Sequence, residues 1–230
     1  MSQSAVSLRI GGLARLSTCD WPGELAATVF CQGCAWACPY CHNPGLREAQ
    51  ANGLISWASV VDFLASRRGL LDAVVFSGGE PTLQSALLDA VREVRTLGFR
   101  VGLHTAGIVP GRFAQVLPSL DWVGFDVKAP FAAYQRITGV RASGDNALES
   151  LLSLLASHVA YEVRTTVHSS LLRTEDLIQL KAQLLDLGVE SFVIQHFRPH
   201  SMVPNRFPSE SPLPMLPSDY GSGFTHFYTR

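Results

Sequence analysis

An α/β fold built on parallel strands is what this sequence predicts, and three observations predict it. Short β-branched or aromatic runs recur six times between residues 25 and 197. Segments of helical period lie between them, and each crossover between parallel strands needs such a segment to bring the chain back. Hydrophobic residues make up 47% of the 230 positions against 16% charged, enough apolar material for a sizeable core and too little charge for a disordered chain.

The elements follow in order. Residues 1–24 contain Gly11, Gly12, Pro22 and Gly23 and predict an N-terminal strand or hairpin that leads into the first long strand. The six core strands are expected at 25–30, 73–76, 100–103, 122–126, 162–167 and 191–195, within a core domain spanning 25–198. A helix is predicted over 57–67 behind a Ser56 cap. A second runs over 84–97, where Leu87, Leu88, Val91, Val94 and Leu97 recur at three- and four-residue steps before Gly98. Residues 148–156 and 175–187 show the same signature, the latter with Thr174 as cap and Gly188 as stop. Residues 199–230 hold six of the thirteen prolines and read as an irregular Pro-rich tail, extended over the surface or partly disordered. The periodicity fits both an open doubly wound sheet and a barrel of fewer than eight units. In either, ligands gather at the carboxyl ends of the strands.

Composition also narrows the function. Eighteen Lys and Arg against nineteen Asp and Glu give a net charge of −1, which exerts no general pull toward nucleic acid or an anionic membrane. The uncharged run 25–46 is interrupted by Gln32, Pro39, His42, Asn43 and Pro44, so it reads as a buried strand followed by a site, not as a membrane span. Four of the five cysteines, Cys31, Cys34, Cys38 and Cys41, fall within eleven residues, and Cys19 stands apart. An odd count with no apolar leader over residues 1–10 speaks against a secreted disulfide framework and for a reducing cytoplasm.

Cys34, Cys38 and Cys41 are spaced C-x3-C-x2-C immediately after the first strand. Three thiolates on one loop can converge on an iron-sulfur cube, leaving its fourth iron open to a small molecule. The same residues also fit a zinc site with Cys31 as fourth ligand, or a four-cysteine electron-transfer cluster. Cys31 itself reads either as a small buried hydrophobe or as a spare thiolate. Gly78, Gly79 and Glu80 follow the second strand as a turn or as a place of close backbone approach to a ligand. Asp126 and Lys128 alternate at the end of the fourth strand and point to one side, as a strand-end salt bridge or as ligand contacts. Arg164, a lone charge in the fifth strand, needs a carboxylate or a cofactor as partner.

The loop, with Tyr40 before its last cysteine, resembles the signature of the radical S-adenosylmethionine enzymes. Further matches are LSTCDWPG at 16–23, FCQGCAWACPYCHNP at 30–44, FSGGEPTLQ at 76–84, FDVKAP at 125–130, RTTV at 164–167 and QHFRP at 195–199. Within that superfamily the chain is most similar to the activating proteins of anaerobic ribonucleoside-triphosphate reductase. The resemblance implies a partial (β/α)6 TIM-like barrel in which Cys34, Cys38 and Cys41 hold a [4Fe-4S] cluster. S-adenosylmethionine would chelate the fourth iron, with Tyr40, Gly78, Gly79, Glu80, Thr105, Asp126, Lys128, Arg164 and His196 as the cofactor-binding residues. His196 reads equally as a packed or capping residue, and His104 and Ala106 stand where relatives often carry Asp and Asn. One electron, from a donor such as flavodoxin or ferredoxin, would split the cofactor into methionine and a 5′-deoxyadenosyl radical. That radical takes a hydrogen atom from a glycine of the partner reductase, so no side chain need act as a general acid or base. The competing expectations are a radical enzyme acting on a small molecule, similar to the 7-carboxy-7-deazaguanine synthases, and a four-cysteine electron-transfer or metal-binding module.

Overall fold

The computed structural model describes residues 5–197, 214 and 216–230. One eight-stranded sheet organises them: β1 (Ile10–Ser17), β2 (Ala26–Cys31), β3 (Ala73–Gly78), β4 (Arg100–Thr105), β5 (Trp122–Asp126), β6 (Ala160–Val167), β7 (Ser191–His196) and β8 (His226–Thr229). Each strand lies beside its predecessor, so spatial order equals chain order. β1 runs antiparallel to β2, and every later pair is parallel. The crossovers carry α1 (Trp57–Ala65), α2 (Leu87–Thr96), α3 (Pro110–Val116), α4 (Tyr134–Thr138), α5 (Ser143–Leu155) and α6 (Thr174–Asp186).

Two differences from the sequence reading have local causes. The second helix begins at Leu87 because Pro81–Leu83 forms a separate 3-10 turn, capped by the Glu80 carboxylate, and Gln84 is extended. The last helix is capped by Arg173 in place of Thr174: the Asp176 carboxylate accepts the Arg173 N–H, and Thr174 is already helical. The short helices α3 and α4 were not expected, since seven and five residues hold too few turns to show a period.

The expectation of an irregular tail over 199–230 needs correction at its end. Residues 198–213 and 215 lie outside the described residues, but His226–Thr229 extends the sheet as β8, paired with β7 from Ser191↔His226 to Ile194↔Thr229. Its four residues alternate between the two faces, too few for the period to stand out beside six prolines.

Side-chain alternation along the strands divides the interior. Ala27, Val29 and Cys31 of β2, Val74 and Phe76 of β3, Val123 and Phe125 of β5 and Phe192 and Ile194 of β7 join the helices in one continuous core. The opposite face starts with a small cluster of Trp21, Ala26, Ala73, Val75 and Trp122, where the two indoles stack at 5.5 Å. Farther along that face come Ser77, His104, Asp126, Arg164, Thr166 and Gln195, and these line one cavity of about 1030 Å³. A flat sheet of eight strands would spread over roughly 34 Å, so the strands must curl about this space as an open barrel. Gly11 and Asp20 on the β1 side and Arg230 on the β8 side line it too, which puts the barrel's lateral mouth between the first and last strands.

Candidate active site

The cysteine loop leaves β2 at a residue that faces away from the cavity. Cys31 is fully buried in the helix-side core, and burial pushes its thiol well above the usual range. Three residues on, Cys34, and after it Cys38 and Cys41, line the cavity in half-buried positions. Burial raises the thiols of Cys34, to about 11, and Cys38, and the nearby Lys128 ammonium opposes the rise at both. Such a charge favours thiolate, the form in which sulfur binds metal.

Backbone bonds fix the loop against the end of β3. Gly79 donates to the Cys31 carbonyl at 2.8 Å, Glu80 to that of Gly33 at 2.9 Å, and Gly33 to that of Leu46 at 2.7 Å. A Cβ on Gly79 would fall 2.2 Å from the Gly33 oxygen, so only glycine permits this approach. Two buried glutamines to which the sequence reading gave no role at the site complete the frame. The Gln32 amide donates to the carbonyls of Gly45 and Glu48, and the Gln84 amide to those of Arg9 and Gln32. No period or spacing marks such residues; only the neighbouring carbonyls explain them.

Glu80 is buried, and its carboxylate receives four donors: the Thr82 N–H and hydroxyl, the Thr105 hydroxyl at 2.6 Å and the Ala106 N–H at 2.9 Å. Burial raises its pKa against the pull of these bonds. It thus ties the ends of β3 and β4 together, and the Thr105 proton is engaged inside the wall. His104, on the cavity side of β4, donates from Nε2 to the Asp20 carbonyl at 2.6 Å and accepts from the Ser77 hydroxyl at Nδ1, 3.2 Å away. Burial and the Arg164 charge push it down to about 3, so the ring stays neutral.

Across the cavity, Asp126 of β5 takes Lys128 Nζ on one oxygen at 3.0 Å and Arg164 Nε on the other at 2.8 Å. Burial alone would raise the Asp126 pKa, but the two cations outweigh it and hold the carboxyl well below the usual range. The Arg164 guanidinium lies across β5, donating to the Gly124 carbonyl at 3.2 Å. A Cβ at Gly124 would come within 2.6 Å of that guanidinium. Lys128 Nζ also stands 5.8 Å from the centre of the Tyr40 ring, whose buried hydroxyl has no hydrogen-bond partner among the described residues. Two cations against one carboxylate leave this wall net positive, with an unspent phenol beside it. That wall suits an anionic group.

His196 ends β7 exposed on the cavity rim. Arg230 is a wall residue absent from the sequence reading: it donates to Glu162 Oε1 at 2.6 Å, and Tyr228 donates to Oε2 of the same buried carboxylate. The alternation of His226, Tyr228 and Arg230 onto one face is the signal that would have found it.

Comparison with protein families matches residues 28–190 to the radical SAM superfamily. The chain belongs to that superfamily. Among curated relatives, the putative glycyl-radical enzyme activating enzyme MJ1227 of Methanocaldococcus jannaschii is 30% identical over 214 residues, covering 89% of this chain and 86% of that protein. The pyruvate formate-lyase-activating enzyme of Clostridium pasteurianum is 33% identical over 139 residues, 57% of each chain. In fold, the chain resembles SuiB of Streptococcus suis, solved bound to S-adenosylmethionine, with a TM-score of 0.60 at 13% identity over 75% of this chain and 40% of that one. Among the described residues, no helix is long and apolar enough to cross a membrane.

Proposed function

We propose that this radical SAM enzyme generates a glycyl radical on a protein partner, and that the partner is the anaerobic ribonucleoside-triphosphate reductase. The observation that carries the first part is the similarity to a putative glycyl-radical activating enzyme along 89% of the chain. The motif phrases from LSTCDWPG to QHFRP support the choice of reductase.

In this reading Cys34, Cys38 and Cys41 hold the [4Fe-4S] cluster, and Cys31, turned into the helix-side core, stays outside it. The donor set fits: three thiols of one loop border a cavity large enough for a ligand, beside a lysine that favours thiolate. When bound, cluster and S-adenosylmethionine supply a one-electron cleavage that yields a carbon radical able to take a hydrogen atom. The chain's own residues bind and orient. Lys128 and Arg164, aligned by Asp126, present positive charge to the methionyl carboxylate, and Tyr40 offers its unspent hydroxyl beside them. Gly78, Gly79 and Glu80 bring backbone close enough to receive the amino group, with Glu80 and Thr105 bracing that wall. His196 stands at the rim for the adenosyl end. A flavodoxin or ferredoxin is the electron donor in this reading.

The test is an anaerobic mixture of reduced, cluster-loaded protein, S-adenosylmethionine and the reductase, read by electron paramagnetic resonance. A glycyl-radical doublet is the expected result. Silence with every glycyl-radical candidate, while the cofactor is still cleaved, would give the small-molecule reading first place.

A further inference from the structure

We infer that the open edge of β8 is where an extended segment of the protein substrate docks, adding itself to the sheet as a further strand. The inference rests on the reading that the substrate is a protein, and it begins from the hydrogen-bond parity of the last strand pair.

His226 donates to the Glu190 carbonyl at 3.0 Å, Arg230 donates to that of Ile194 at 3.0 Å, and the Arg230 carbonyl accepts from His196 at 2.7 Å. In a parallel ladder, alternate residues direct both backbone groups to the same neighbour. Tyr228 therefore shares the β7 side, and the N–H and C=O groups of Phe227 and Thr229 point to the open edge.

Among the described residues the sheet has two open edges, and they differ. β1 has register shifts between Ile10 and Gly12 and between Ala14 and Ser17, and Ile10 is already bridged to Ile55. Bulges, cover and charges such as Arg15 are the usual means of keeping other chains off an edge. β8 pairs in unbroken register and its body is firmly anchored: Phe227 packs against Phe192, Tyr220 and Phe224. A rigid, regular strand is a template to which an extended peptide can add, its backbone bonds giving affinity without demanding a particular sequence.

Position supplies the reason for choosing a substrate segment as occupant. β8 forms one lip of the lateral mouth, Arg230 at its end lines the cavity that holds Cys34, Cys38 and Cys41, and Tyr228 on the cavity-facing side remains 42% exposed. A peptide paired with Phe227 and Thr229 has its next residues at the cavity, where a glycine-bearing turn must arrive.

The experiment follows backbone hydrogen exchange in cluster-loaded protein with S-adenosylmethionine, with and without the reductase, at single-amide resolution. The Phe227 and Thr229 amides are expected to exchange freely alone and to become protected with the reductase; the Tyr228 and Arg230 amides are protected in both. A second measurement uses Thr229→Pro, which removes one open-edge N–H and no bond to β7, with Thr229→Ala as the side-chain control. The proline variant should form the glycyl radical about tenfold more slowly at low reductase concentration, the loss expected for one hydrogen bond of binding, while cleaving the cofactor unaided at the normal rate. A normal doublet without new protection, formed equally fast by the proline variant, overturns the docking edge and leaves the proposed function standing. Protection already present in the free protein also overturns it, since the chain would then cover its own edge. No doublet from the unaltered protein overturns the reading on which the inference rests.

Discussion

The direction in which a strand residue points decides its chemistry here more than its identity does. Cys31 and Cys34 are three positions apart, yet one thiol is enclosed in the helix-side core and the other borders the cavity. Cys31→Ala should therefore leave the iron content and the visible absorption of the reconstituted protein unchanged, together with cofactor cleavage. Cys38→Ala should lose most of the iron, about four atoms per chain for a full cube. Iron analysis of both variants checks the assignment, and loss of iron in the first would return Cys31 to the ligand set. Gly124 is a second such residue. The guanidinium of Arg164 occupies the place of its missing side chain, so Gly124→Ala should push Arg164 off Asp126. Affinity for S-adenosylmethionine should fall about tenfold, the worth of one charge-assisted hydrogen bond, with the iron content intact. Equilibrium binding on the reconstituted variant measures this.

Among the elements, β8 has the clearest energetic role. Glu162 enters the barrel interior on β6, and its hydrogen bonds among the described residues come from Tyr228 and Arg230 on or beside β8. Arg230→Met would leave a buried carboxylate with one donor and should cost about 2 kcal/mol, less than a fully enclosed pair because Arg230 is partly exposed. Adding Glu162→Gln should recover part of that loss, since the charge is then gone. Urea unfolding of the two variants decides it; equal losses would mean that Glu162 is not the reason β8 stays docked. The strands β2 to β7 were legible in the sequence because each carries a short β-branched or aromatic run, buried against the helices, between segments of helical period. β8 was not, because four residues cannot show a period against a proline-rich background.

At the scale of the whole molecule, one neutral imidazole on β4 adds a tie to the turn between β1 and β2, beyond the β1–β2 ladder itself. His104 binds the Asp20 carbonyl, next to Trp21, whose indole closes the barrel's base on Trp122. The folded ring titrates near 3, far below an unfolded histidine. Between the two values the unfolded chain binds the extra proton, so stability falls as pH drops from about 6.5 toward 3. Asp126 adds a loss of the same sign only below the ordinary aspartate range. The thermal midpoint should therefore fall less steeply between pH 6.5 and 4 in His104→Gln than in the unaltered protein, as scanning calorimetry across that range can show. None of this union was readable in advance. The strand, the cysteine spacing and the Asp126–Lys128 alternation are local patterns, whereas a histidine and a carbonyl 84 positions apart meet only once the sheet has curled.

The distance between Glu162 and its donors also has a consequence for synthesis. The carboxylate is made with β6, but Arg230 follows 68 positions later. Contacts so far apart in the chain form late and slowly. Until β8 pairs with β7, the Glu162 carboxylate lacks the donors it has among the described residues, and the mouth has only one lip. The strand that shapes the entrance is thus also the one that completes the polar pairing of the barrel's interior.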